Sequence, residues 1–152
     1  MAKFPISKRR TQPYYTYQIH YHNMTLHQLV IVLTIIAIHW IADFICQAEE
    51  WATNKSKNNT ALVRHTAMYS LVWFWGCHLL FSNLLDVLAF VGITFVAHTI
   101  TDYITSRIVS RKFANKEFGS PIPNTGAFTV IGFDQVLHYI QLFGTYYLLI
   151  NR

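Results

Sequence analysis

The sequence predicts an all-α protein, an up-and-down bundle of four helices that crosses a membrane. Three observations predict it. Only 12% of the 152 residues are charged and 53% are hydrophobic, where a soluble domain carries about 25% charged residues. Four apolar segments, 26–46, 61–81, 84–109 and 126–150, each approach the roughly 20 residues needed to span a bilayer core. Tyrosine and tryptophan gather near the segment ends, within an aromatic share of 16%, as an interfacial belt requires.

The elements follow in order. Residues 1–25, "MAKFPISKRRTQPYYTYQIHYHNMT", form a basic, aromatic arm, expected to be interfacial or disordered. The arm lacks the apolar stretch and small-residue cleavage site of a signal peptide. Residues 26–150 form the transmembrane domain. The second and third segments are separated by little more than Ser82 and Asn83, which forces a tight antiparallel hairpin. The other two connectors, "QAEEWATNKSKNNT" and "TSRIVSRKFANKEFGSPIPNT", are polar, and Gly119, Pro121 and Pro123 stop the helix in the second.

The net charge of +5 flanks apolar spans. It reads as headgroup contact with a lipid bilayer and argues against nucleic-acid binding, which needs a basic face on a soluble fold. Seven of the 12 Lys/Arg lie in or beside the two long connectors, a slight bias toward cytoplasmic connectors. Cys46 and Cys77 sit in apolar segments without CxxC spacing and read as packing residues.

The polar residues inside the spans carry the chemistry. "HWIADFICQ" places His39, Asp43 and Gln47 four residues apart, on one stripe of a helix. "HTITD" repeats the spacing with His98 and Asp102, "DQVLH" reverses it with Asp134 and His138, and the second segment offers His65 and Tyr69. Three of the four aspartates thus have a histidine one turn away. Up-and-down topology brings all of these to one depth, about 6 to 15 Å below the face bearing the long connectors.

A histidine and a carboxylate are costly in hydrocarbon unless they satisfy one another or bind an ion. His39, Asp43, His98, Asp102, Asp134 and His138 are therefore candidate ligands for one or two divalent ions, zinc, manganese or iron. Gln47 and Gln135 are candidates for orienting those ligands by hydrogen bonds. The corresponding activity is a metal-dependent hydrolase of a lipid or lipid-linked substrate. In it Asp43 is the base, His65 a further ligand or acid, Tyr69 a donor to developing negative charge, and Arg64 and Arg107 hold a headgroup phosphate. Three alternatives use the same residues: a hydrogen-bond network that locks the bundle, a divalent-ion or proton transporter, and a non-catalytic envelope or phage interaction protein.

"HWIADFICQ…WATNKSKN…LVRHTAMY", "FVAHTITDYITSR" and "FTVIGFDQVLH" resemble the small bacterial and phage membrane proteins of the domain of unknown function 3307 family, over roughly residues 27 to 145. The resemblance implies a polytopic location in a bacterial inner membrane. It also singles out His39, Asp43, Gln47, His65, His98, Asp102, Asp134, Gln135 and His138, without assigning them an activity.

Overall fold

A computed structural model describes residues 24–119 and 125–152, and every regular element among them is helical. The elements are α1 (Leu26–Trp40), continued by a π-helical turn (Ile41–Ile45), then α2 (Glu49–Asn54), α3 (Asn59–Gly76), a 3₁₀ turn (Cys77–Leu79), α4 (Leu84–Ala114) and α5 (Ala127–Ile150). The expected arm, apart from its last two residues, lies outside the described residues.

Polar caps start three of these helices. Thr25 and Gln28 form a reciprocal capping box at α1, the Gln28 amide donating to Thr25 Oγ1 and the Thr25 amide to Gln28 Oε1. Asn58 and Asn83 accept from the backbone amides of Thr60 and Leu85 and so begin α3 and α4. α3 ends at Gly76 and its 3₁₀ turn at Leu79, short of the expected 81, so the connection is longer than "SN", with Asn83 capping the next helix.

Two departures from the sequence expectation matter for the site. The connector after α1 is not all loop: α2 forms within it and packs against α3. The third apolar segment, expected to end at 109, stays helical to Ala114.

The four long helices close a ring. α4 packs against α3 and α5, and α1 against α3 and α5. Neighbours run antiparallel, as pairs along their lengths show: His65 beside His98 but Trp73 beside Phe90, and Asp134 beside Thr105 but Arg152 beside Asp86. One half of the interior is apolar, built on Ile35, Trp73, Val87, Phe90 and Leu142, all fully buried. The other half is polar. Outward faces carry exposed Leu33, Ile100, Ile140 and Leu148.

Among the described residues, two helices are long and apolar enough to cross a membrane, Leu26–Ile45 and Leu84–Ala114. α3 and α5 have 18 and 24 residues, with His65, Thr66 and Ser70 on one and Asp134, Gln135, His138 and Gln141 on the other.

α1 packs tightly on α3 at Gly76, where a Cβ would stand 2.9 Å from Ile38 Cδ1 and 3.0 Å from its Cγ2. Gly76→Leu is expected to cost about 1–3 kcal/mol by overpacking, read as a lower thermal midpoint in detergent. An unchanged midpoint would mean that the two helices separate freely there.

Candidate metal centre

Each long helix delivers side chains to the polar half. α1 and its π-helical turn supply His39 and Asp43, α3 supplies His65 and Tyr69, α4 His98 and Asp102, and α5 Asp134, Gln135 and His138. Apart from the partly buried Gln135, all are buried. The π turn, marked by the Cys46 amide donating to the Ile41 carbonyl, widens the last turn of α1 around Asp43. Such insertions recur at functional sites because they re-aim one side chain at the cost of regular hydrogen bonding.

His65 Nε2 lies 3.2 Å from Asp43 Oδ1 and 3.1 Å from His98 Nε2, and His98 Nε2 lies 3.6 Å from Asp43 Oδ1. Ligand atoms about 2.0–2.1 Å from a tetrahedral ion stand about 3.3–3.4 Å apart. These three edges bracket that value. Asp102 Oδ2 adds a fourth candidate, 3.1 Å from His65 Nε2 and 3.7 Å from His98 Nε2.

Two trios, Asp43–His65–His98 and His98–Asp102–His138, have atoms placed so that each can hold a metal ion. They share His98, whose Nε2 has one lone pair to give, so only one trio can use it at a time.

His138 is left with an unpaired acceptor. Its Nδ1 donates to the Asp134 backbone carbonyl at 2.8 Å, which in the neutral ring leaves Nε2 as a lone pair. That lone pair is buried 3.6 Å from Asp102 Oδ1 and has no hydrogen-bond partner among the described residues. An acceptor facing a carboxylate is unfavourable unless a proton or metal ion lies between them.

His39 is placed differently from the expectation that it is a ligand. The Tyr69 hydroxyl donates to its Nδ1 at 2.8 Å, and its Nε2 donates to Gln135 Oε1 at 2.8 Å. Both ring nitrogens are taken. Gln135 passes the restraint on, its amide nitrogen donating to Asp43 Oδ2 and Asp134 Oδ2, each at 3.2 Å. Tyr69 also stacks on the His98 ring, centroids 3.8 Å apart. Tyr69, His39 and Gln135 therefore orient ligand-capable groups, as outer hydrogen bonds do around metal sites.

Asp134 is held by the Thr105 hydroxyl at 2.6 Å and stands 3.6 Å from His138 Nδ1. Gln47 does not orient Asp43: the π turn ends before it, so the four-residue stripe no longer applies, and its buried Oε1 has no partner among the described residues. Arg64 is exposed. Arg107 donates to the Tyr103 carbonyl and to Asn59 Oδ1, both at 2.8 Å, with its guanidinium over the Tyr103 ring. Those contacts tie α4 to the start of α3. Asp86 lies at the opposite end, paired with Arg152.

Sequence reasoning missed Lys55, one of a scatter of connector cations. Its Nζ donates to Asp102 Oδ2 at 2.7 Å and lies 3.5 Å from His65 Nε2. Burial works against its charge, but the carboxylates of Asp102 and Asp43 outweigh burial and raise its pKa above the usual lysine value. The ammonium is therefore present at neutral pH. Three carboxylates against this one ammonium leave two formal negative charges with neutral histidines. Protons on the histidines or one divalent ion would offset that charge.

A cavity of 760 Å³ runs from the connector face to this centre. It passes between α2 with its following turn, the C-terminal half of α4 and the start of α5, and reaches Asp43, Asp102 and Asp134.

A family model described as "Protein of unknown function (DUF3307)" matches residues 30–151. The chain belongs to this family. The DUF3307 match contains every residue of the centre, from His39 to His138, and Lys55 with them. Its description carries no activity. No curated protein and no solved structure matches the chain.

Proposed function

We propose that this chain is an integral membrane protein whose residues 26–150 form a four-helix up-and-down bundle, that it holds one divalent ion on Asp43, His65 and His98 beside Asp102, and that it hydrolyses a lipid or lipid-linked ester. The observation carrying the metal reading is the close triangle of Asp43 Oδ1, His65 Nε2 and His98 Nε2. Imidazole with carboxylate suits zinc, manganese or non-haem iron. The membrane reading is supported by apolar outer faces around buried polar side chains, an arrangement that hydrocarbon tolerates.

The cleft favours hydrolysis over transit. It serves the centre from the connector face, while Tyr69, Trp73, Phe90 and Leu142 fill the interior beyond. A divalent ion supplies Lewis acidity toward a carbonyl or phosphoryl oxygen and makes water a better nucleophile. Asp134, on the cavity wall and outside the ligand triangle, is the base. It takes a proton from water as water's oxygen bonds to the ester centre, and that proton goes to the departing alkoxide when the ester bond breaks. Asp43, expected to be the base, is better used as a ligand: one oxygen is in the triangle and the other accepts from Gln135.

Metal analysis of detergent-purified protein before and after chelation tests the reading. One zinc, manganese or iron per chain is expected, and its loss on chelation should stop turnover of phospholipid or lipid-linked substrates. Protein without bound metal would overturn the proposal, and metallated protein inert toward all such substrates would overturn its catalytic part. Gln135→Ala is expected to weaken metal retention about 10–100-fold without abolishing it, because it orients Asp43 without contacting the ion. Loss as complete as that of a ligand variant would make Gln135 a ligand.

A further inference from the structure

Lys55 stands where the cavity meets the centre. One of its three N–H groups is used on Asp102, its Nζ stands 3.5 Å from His65 Nε2, and its side chain keeps 17% of its surface exposed on the cavity wall. Across the cavity, α4 presents Ser106, whose hydroxyl is buried and has no partner among the described residues. A buried hydroxyl left unpaired costs on the order of 1–3 kcal/mol, which a ligand oxygen would recover. Phe44, Val109 and Phe113 line the same cavity. The cavity therefore offers a lysine cation, an unpaired hydroxyl and apolar side chains near the proposed ion.

We infer that the substrate is a phosphate ester, that Lys55 and Ser106 recognise its phosphate oxygens, and that its apolar portion lies along Phe44, Val109 and Phe113. This inference rests on the hydrolase reading above and names the substrate class of that site. It moves anion recognition from Arg64 and Arg107 to Lys55: Arg64 is exposed on α3, and Arg107 is engaged with Asn59 and Tyr103. Lys55 suits the task as a compact point charge with a donor to spare. Hydrolysis then forms a P–O bond from water, breaks the P–O bond to the alcohol, and delivers water's proton to that alcohol by way of Asp134.

The test uses the full chain in neutral detergent, loaded with manganese or zinc. Calorimetry measures binding of inorganic phosphate in one arm, and of phosphatidate against phosphatidylcholine in mixed micelles in the other. Phosphatidate is expected to bind, and phosphatidylcholine, whose diester carries one charge fewer, to bind more weakly. Binding of free phosphate as well would extend recognition to soluble esters; its absence would confine recognition to the lipid. Lys55→Met is expected to weaken binding about tenfold or more with metal content unchanged, Lys55→Arg to retain most of it, and Ser106→Ala to weaken it about threefold. Equal binding by wild type and Lys55→Met, or none by fully metallated wild type, overturns this inference alone. Loss of metal from Lys55→Met also overturns it, by making Lys55 part of the centre's construction. Failure of the wild type to hold metal overturns the reading beneath it.

Discussion

His98→Ala is expected to empty the metal centre, lowering affinity by well over the roughly 100-fold upper range of outer hydrogen-bonding partners. His98 Nε2 belongs to both trios of candidate ligands, 3.1 Å from His65 Nε2 and 3.6 Å from Asp43 Oδ1 on one side and 3.7 Å from Asp102 Oδ2 on the other. Removing it takes one corner from either arrangement, and alanine leaves a void under the stacked Tyr69 ring. His39→Ala is the paired control. Its two nitrogens are committed to Tyr69 and Gln135, so its loss loosens Asp43 indirectly and should weaken metal retention only about 10–100-fold. Both proteins are compared by metal content after dialysis against a graded chelator, with helicity by circular dichroism as the folding control. Equal, complete loss in the two variants would place His39 among the ligands.

Asp134→Asn is expected to separate binding from chemistry. The variant should keep its ion, because the carboxylate lies outside the ligand triangle, yet lose about 10²–10⁴-fold in turnover, the range of general base catalysis. Asparagine keeps one of the two acceptor oxygens, so the bond from Thr105 Oγ1 can persist while the one from Gln135 is lost, and an amide cannot take water's proton at neutral pH. Asp43→Asn should do the reverse and lose the ion, since Asp43 Oδ1 is a corner of the triangle. Metal content and turnover measured on both variants decide between the two carboxylates. If Asp134→Asn sheds metal while Asp43→Asn keeps it, the roles are exchanged.

Much of the site was legible because helices have a fixed period. His39 with Asp43, His98 with Asp102 and Asp134 with His138 are each one turn apart, and that spacing puts both members of a pair on one face whatever the tertiary fold. Antiparallel packing of four helices with short connections then brings those faces to a common depth. The prediction of an all-α chain and of a shared polar cluster needed nothing further. Local chemistry also placed the capping residues Thr25, Asn58 and Asn83, which act within one turn of their own position.

Other features depended on contacts between residues far apart in the chain. Periodicity shows that His39 faces inward, but not that Tyr69 and Gln135, 30 and 96 residues away, occupy both its nitrogens. The same pattern favoured His39, one turn from Asp43, over His65, which has no carboxylate at that spacing, whereas contacts across helices make His65 the ligand candidate and His39 the orienting group. Gln47 failed the stripe rule because a π turn, which the residue pattern does not announce, ended the helix first. Lys55 was least visible. It sits in a polar connector of the sort that normally faces water, and meets the edge of the centre only because α2 forms there and the following turn brings it to Asp102, 47 residues on. The sequence by itself determined which side chains share a helical face, since that follows from the backbone repeat. Only the tertiary structure decided which atoms of those side chains meet, because that depends on rotations and approaches between helices that no local period encodes.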